Sequence, residues 1–371
     1  QASAAGSAAP SRSAEQNRWY IRRPGRTFSR AFHSGRCVTD DIRDKLQQTL
    51  GQAVAIDREL GGGGMSRVFV ATDTVLGRQV VVKMLPSEAV PAVSLERFNR
   101  EIRTAAKLQH PHIVPVLNAG ESGGLPFYTM PFVPGESLRQ RLSKGGELSV
   151  NETIHVLRDV AAALAYAHGE GVVHRDIKPE NVMLSGGVAV VTDFGVAKAV
   201  DLAATDAGPG HRDLTSLGLA LGTPAYMSPE QATADPHVDH RSDIYSFGCV
   251  AYEMLAGVGP FAGRTAQQLL AAHVQEVPES LLKRRPSVPP ALATLVMKCL
   301  EKRSGDRPQT AQELIGALDA IATPSGGTQP TALRLAAVRP AGLMMLVYAG
   351  AGALVIGAIA VYSATRAPSP V

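Results

Sequence analysis

Apolar residues recur every fourth position at Ile42, Leu46 and Leu50, the spacing of one face of a helix. Thr39 stands where an N-cap would, Asp40 and Asp41 follow where the helix dipole favours negative charge, and Gly51 closes the run. The spacing predicts a short amphipathic helix over about 40 to 50. From 54 to 132 the alternation turns strand-like, in VAIDREL, RVFVATD, RQVVVKML and LPFYTMPFV. One helical stretch interrupts it, SLERFNREIRTAAKLQ, with Leu95, Phe98, Ile102, Ala105 and Leu108 on one face. From 150 to 320 helical spacing dominates, as in TIHVLRDVAAALAYAHGEG and ELIGALDAIA. A small sheet-rich lobe followed by a larger helical lobe is an α+β arrangement.

The two ends of the chain break both patterns. Residues 1–37 are rich in Ala, Ser and Arg and lack apolar periodicity, which reads as disorder. The same composition imitates an organellar transit peptide, and a third reading is that translation starts near Val38 or Thr39. At the other end TPSGGTQPT begins a linker over 323–340. Residues 341–363, AGLMMLVYAGAGALVIGAIAVYS, carry no charge. At about 1.5 Å per residue such a run spans a hydrocarbon core of roughly 30 Å, so one transmembrane helix is expected, followed by a short tail over 364–371.

Charge changes the picture less than it first suggests. The formal net charge is +4, but residues 1–37 alone carry seven arginines and one acid, leaving the rest slightly acidic. A nucleic-acid partner is therefore not expected, because it calls for a basic folded surface. The three cysteines, Cys37, Cys249 and Cys299, are widely spaced and form no CxxC pair. Neither a disulfide framework nor a zinc site is indicated.

The chemistry concentrates in VVHRDIKPENVML, residues 172–184, and in Thr192-Asp193-Phe194-Gly195. His174-Arg175-Asp176 followed by Asn181, then Asp193-Phe194-Gly195, has the spacing of a kinase catalytic loop and its metal-binding triplet. On these motifs residues 54 to about 320 resemble the bacterial Hanks-type serine/threonine protein kinases. GGGGMSRVFVATD, HPHIV and GTPAYMSPEQ add to that likeness. The resemblance implies a bilobal protein-kinase fold over 54–322, with a β-rich N-lobe over 54–130 and a helical C-lobe over 131–322. Residues 38–53 would form a separate helix ahead of it.

Phosphoryl transfer needs positioning, metal ions and charge stabilisation rather than covalent chemistry. By the resemblance, Asp176 would orient the acceptor hydroxyl and take its proton, and Lys178 would stabilise the transferring phosphoryl group. Asn181 and Asp193 would hold Mg²⁺, or Mn²⁺ in its place. Lys83, which ends the strand VVVK in this reading, would grip the ATP phosphates with Glu101 as its partner. Leu60, Gly61, Gly62, Gly63, Gly64, Met65, Ser66 and Val68 would form the hairpin that covers ATP. In it Gly61 and Gly63 match the family's first two glycines, and Ser66 replaces the third. Val68, Val81 and Met183 would sandwich the adenine, with Met130 as gatekeeper and Pro131 and Val133 as hinge contacts.

Residues 193–230 resemble a long activation segment ending in Ser228-Pro229-Glu230. Glu230 would pair with Arg307, and Asp243 would support the catalytic loop. Arg175 beside Asp176 implies a phosphate-ordered segment, with Thr215 as the expected autophosphorylation site and Ser216 and Thr205 behind it.

The reading is an ATP-dependent serine/threonine protein kinase acting on protein substrates. It would be held at the cell membrane by one span with its catalytic domain in the cytoplasm. The alternative is a nucleotide-binding pseudokinase or scaffold, for which Ser66 speaks; a kinase-fold enzyme acting on small molecules is a further rival. Ala349, Ala353 and Gly357 form a small-xxx-small stripe on which a homodimer could form.

Overall fold

The computed structural model describes residues 38–60, 66–85, 95–196 and 224–322. The expected N-terminal tail, Gly61 to Met65, the segment holding Thr205, Thr215 and Ser216, and the expected membrane span lie outside these residues. The described chain divides into two compact units. The smaller takes residues 38–60, 66–85 and 117–132; the larger takes 95–116, 133–196 and 224–322.

The smaller unit is a five-stranded antiparallel sheet with one helix. Helix α1 (Val38–Leu50) leads into β1 (Val54–Glu59), β2 (Arg67–Asp73) and β3 (Arg78–Met84). Helix α2 (Leu95–Ala105) belongs to the larger unit, and the chain then returns for β4 (Asn118–Ser122) and β5 (Leu125–Pro131). The strand order is β1-β2-β3-β5-β4. Register sorts the side chains by face, because directly paired residues in antiparallel strands point the same way. Phe69 pairs with Val82, Ala71 with Val80 and Met84 with Phe127. Together with Leu46 of α1 and Ile56 of β1 these residues form the buried core of the unit.

Helix α1 is part of this unit rather than a separate element. Gln47 stitches it to β1, its Nε2 donating to the Val54 carbonyl at 3.0 Å and its Oε1 accepting from the Ile56 N–H at 2.7 Å. Thr39 is not the N-cap, since the helix already begins at Val38. Gly51 closes the helix as expected, with φ +65° and its N–H on the Gln47 carbonyl. Strand β4, NAGES, has no apolar alternation and was not expected. It forms by pairing with β5, where Gly120 lets the Phe127 ring lie so close that a Cβ would sit 2.9 Å from it.

The larger unit continues with β6 (Glu136–Ser137), α3 (Leu138–Gly145), α4 (Val150–Gly169), β7 (Val182–Ser185) and β8 (Val188–Val191). Then come α5 (Pro229–Ala232), α6 (Arg241–Ala256), α7 (Ala266–Gln275), α8 (Leu281–Arg284), α9 (Pro290–Cys299) and α10 (Ala311–Ala322). Helix α6 is buried at every residue from Ser242 to Leu255, so it runs through the core and the rest packs around it. Gly135 is required where the chain enters β6: its φ is +130°, and a Cβ would lie 2.1 Å from the Leu184 carbonyl oxygen.

The boundary between the units differs from the one read in the sequence. Pro131 pairs with Val80, and the Phe132 N–H donates to the Gln79 carbonyl at 3.2 Å, so the smaller unit runs to Phe132 rather than to 130. Residues 95–116 join the larger unit. Their end is bonded to β8, the Val114 N–H donating to Val191 O and the Val191 N–H to His112 O, each at 2.9 Å. Among the described residues no helix is long and apolar enough to cross a membrane.

Candidate functional site

In the smaller unit the strand register decides what faces what. Val68 pairs with Lys83, Lys83 with Tyr128, and Val81 with both Val70 and Met130. These residues therefore share one face, opposite the face that packs with α1. Four expected site residues, Val68, Val81, Lys83 and Met130, are brought together there by alternation alone. Pro131, one residue on, sits on the other face, so its side chain is not part of this set. Lys83 does not end its strand, which continues to Met84.

Around the glycine run the two flanking strands are clamped. Arg67 reaches Glu59 with two hydrogen bonds, at 2.9 and 2.7 Å, and the Leu60 N–H donates to Val68 O at 2.8 Å. The hydrogen bond from Arg67 holds the Glu59 carboxyl below its ordinary range. Leu60 is exposed and Ser66 half-buried at the two ends of the run. Neither Glu59 nor Arg67 was picked out in the sequence, though their opposite charges flanking a hairpin were visible.

In the larger unit the key segment has little regular structure, and side chains hold it. Asp243, fully buried on α6, accepts from the His174 N–H at 2.8 Å, from the Arg175 N–H at 2.7 Å and lies 2.8 Å from His168 Nε2. Burial by itself pushes this carboxyl up; the hydrogen bonds from His168 and the His174 backbone outweigh that and hold it below the usual range. The His174 ring accepts the Asp176 N–H on Nδ1 at 3.2 Å. The proton therefore sits on Nε2, which donates to Thr192 O at 2.8 Å. Asn181 donates from Nδ2 to both the carbonyl and Oδ2 of Asp176, at 2.9 and 3.0 Å. Gln231 donates to Arg175 O at 2.7 Å.

Two residues of this segment, Arg175 (φ +69°) and Asp193 (φ +68°), are left-handed without being glycine. Such conformations cost about 1–3 kcal/mol each and persist only where neighbours over-determine them. The tethers on Arg175 supply that here, and for Asp193 the Thr192 hydroxyl donates to Oδ2 at 3.2 Å. Phe194 is buried with its ring edge-on to His174 at 4.6 Å between centroids. At Gly195, φ is +74° and a Cβ would meet Ala105 Cβ at 3.1 Å, so the glycine is needed for both reasons.

The result is a carboxylate with assigned oxygens. Asp176 Oδ2 is engaged by Lys178 Nζ at 2.7 Å and by Asn181, while its side chain stays 28% exposed. Among the described residues no hydrogen bond or ion pair reaches Oδ1. Asn181 spends its amide N–H groups on Asp176 and offers Oδ1. An amide oxygen and the Asp193 carboxylate are the hard oxygen donors that suit Mg²⁺.

A family model for the protein kinase domain matches residues 54–317. The chain belongs to the protein kinase family. It is 36% identical over 292 residues to the serine/threonine-protein kinase pkn3 of Myxococcus xanthus, an alignment covering 76% of this chain and 52% of that protein. To PknB of Mycolicibacterium smegmatis it is 40% identical over 274 residues, 72% of this chain and 42% of the other. With PknB of Mycobacterium tuberculosis the figures are 41% over 262 residues, 69% and 40%. This kinase chain thus spans about half the length, or less, of these three bacterial relatives.

Of the other expected residues, Met183 lies half-buried on β7, paired with Val190, and Val133 falls in the larger unit just past the boundary. Glu101 lies on α2 in the larger unit, 3.4 Å from the Arg100 guanidinium. Glu230 binds Arg307 through two hydrogen bonds of 2.7 and 2.8 Å, as expected. Sequence reasoning missed a partly buried cluster next to Asn181. Arg139 contacts Glu180 at 2.7 Å, Glu253 at 2.6 Å and the Tyr226 hydroxyl, which in turn donates to Glu253. Its members come from positions 139, 180, 226 and 253, a separation that left no local signal.

Proposed function

We propose that this chain is an active serine/threonine protein kinase that transfers the γ-phosphoryl group of ATP to hydroxyls of protein substrates. The observation that carries the reading is the Asp176 carboxylate, held by Lys178 and Asn181 with one oxygen left for an acceptor hydroxyl. In this reading Asp176 Oδ1 orients the hydroxyl and accepts its proton, and Lys178 offsets charge on the moving phosphoryl group. Bound Mg²⁺ neutralises phosphate charge, and Asn181 and Asp193 are the residues to hold it. Lys83, with Glu101 as partner, orients the phosphates; Val68, Val81, Met130, Val133 and Met183 receive the adenine, and the glycine run covers it.

The proposal extends to regulation and place. Thr215 is the favoured autophosphorylation site, with Ser216 and Thr205 next, on the argument that Arg175 is a cation suited to a phosphate. The uncharged run 341–363 is proposed as a single membrane span with the catalytic domain on the cytoplasmic side, where ATP is. Ala349, Ala353 and Gly357 are proposed to pair two such spans.

The test is incubation of the full chain with labelled ATP, Mg²⁺ and a protein acceptor, parent against Asp176→Asn. Label in the parent and none in the variant is expected. Equal label in both, or none in either, overturns the reading. Phosphosite mapping of the same parent sample checks Thr215.

A further inference from the structure

Five backbone groups between His174 and Asp176 are held by side chains, and one of the tethers has a source apart from the rest. The His174 and Arg175 N–H groups go to Asp243, the Asp176 N–H to His174, and the Asp176 carbonyl to Asn181. The fifth group, the Arg175 carbonyl, is held by Gln231, which follows the segment 197–223 in the chain.

The Gln231 side chain works at both ends. Its Oε1 accepts from the Ser228 N–H at 3.1 Å, while the Ser228 hydroxyl accepts from the Gln231 N–H at 3.3 Å. This reciprocal cap of α5 needs an acceptor at Oε1, so it fixes which end of the amide is the oxygen. The amide nitrogen then reaches the Arg175 carbonyl at 2.7 Å. Arg175 is the left-handed residue whose carbonyl belongs to the peptide leading into Asp176, and its N–H is already on Asp243 at 2.7 Å. Gln231 and Asp243 therefore grip this strained residue from its two sides. Helix α5 is a firm base for that grip: Ser228 is fully buried and Glu230 is bound to the buried Arg307.

We propose that Gln231 is a positioning residue for phosphoryl transfer. It couples the Ser228–Gln231 turn to the peptide before Asp176, and through that peptide it sets the direction of the Asp176 carboxylate. The inference rests on the kinase reading above. A glutamate in its place keeps the acceptor for the Ser228 N–H but sets a second carboxylate oxygen against the Arg175 carbonyl. The cap survives, and the tether becomes repulsive until the carboxyl takes a proton and donates again.

The experiment compares the parent chain as given in the sequence, Gln231→Glu and Gln231→Ala, with ATP, Mg²⁺ and dephosphorylated casein, from about pH 5.5 to about pH 8.5. At the alkaline end kcat of Gln231→Glu is expected to fall at least about tenfold, since small misplacements of reacting groups cost up to about a hundredfold. KM for ATP stays near the parent value. As pH falls, the ratio of variant to parent kcat rises for Gln231→Glu and stays low for Gln231→Ala. Asp243, His174, Arg175 and Asp176 on one side, and Glu230 with Arg307 on the other, are common to all three proteins and cancel in that ratio. A parental kcat in Gln231→Glu, or a ratio that does not move with pH, overturns the proposal. Hydrogen exchange over residues 172–178 is the second measurement, and faster exchange in Gln231→Glu at neutral pH is expected. Unchanged exchange overturns the coupling whatever the activity. An inactive parent with faster exchange in the variant sinks the kinase reading and leaves the coupling standing.

Discussion

The two units place their candidate site side chains by different means. In the smaller unit, Val68, Val81, Lys83 and Met130 share a face because strand register puts them there, while Phe69, Val80, Val82 and Met84 fill the opposite face. Nothing more than two-residue alternation and antiparallel pairing is needed. In the larger unit, Asp176 sits on irregular backbone; Lys178 and Asn181 hold its carboxylate, and Asp243 and Gln231, more than fifty residues away in sequence, hold the backbone of Arg175 before it. A position set by a repeating lattice tolerates change at any one neighbour. A position set by single tethers depends on each of them.

The sharpest way to press that contrast is at the tethered centre itself. Asp176→Asn is expected to lower kcat by a factor of about 10²–10⁴, the usual worth of a positioned proton acceptor, with folding intact. A phosphoryl-transfer assay on the full chain reads this, and a small loss would mean that the tethered carboxylate is not where the chemistry runs.

Next comes the tether rather than the tethered group. Asp243→Ala strips acceptors from two buried N–H groups and from His168. A loss of about 3–5 kcal/mol of stability is expected, the scale for breaking a buried charged network. In the smaller unit the matching deletion is Leu46→Ala, which removes a fully buried side chain from the α1 contact. It should cost about 2–5 kcal/mol but leave the order of residues along β3 unchanged. Urea unfolding of both variants checks the two numbers. An Asp243→Ala loss below about 1 kcal/mol would mean that the tether does not hold the segment.

A pH scan probes the larger unit in another way. His273 is buried on α7, and burial, with Lys302 nearby, pushes its pKa down to about 4. The unfolded chain therefore binds a proton that the folded one does not between the ordinary value near 6.5 and about 4. Stability is full above that window and falls as the pH drops through it, by at most about 1.4 kcal/mol per pH unit for one proton. His273→Gln should flatten the slope in urea unfolding curves taken across the window. The smallest effect is expected at the glycine hairpin. Arg67→Ala breaks the part-exposed pair with Glu59 and should cost about 1 kcal/mol or less. A calorimetric shift much larger than that would show the smaller unit to be less lattice-like than its register suggests.

How much could be read beforehand follows the same division. Strands β1, β2 and β3 and helices α1, α2, α4 and α10 were legible because each carries its own period of apolar residues. Strand β4 was not, since NAGES has no pattern of its own and exists by pairing with β5. The cap at Thr39 was misread because a threonine before two acids looks the same whether the helix starts after it or one residue earlier. Asp176, Asn181 and Asp193 were found through spacing along the chain, and their expected scaffold residues Asp243, Glu230 and Arg307 through resemblance. Gln231, His168 and the Arg139–Glu180–Glu253–Tyr226 cluster gave no such signal.

The sequence by itself determined the family and the order of sheet-rich and helical parts, and it nominated the candidate residues for phosphoryl transfer, because those depend on local periodicity and on motif spacing. Only the tertiary structure decided which Asp176 oxygen is spoken for, which nitrogen of His174 bears its proton, and which side chains hold Arg175 in a left-handed turn. These depend on hydrogen bonds between residues far apart in sequence. A buried backbone group must find a partner wherever the fold brings one, and no local pattern records where that will be.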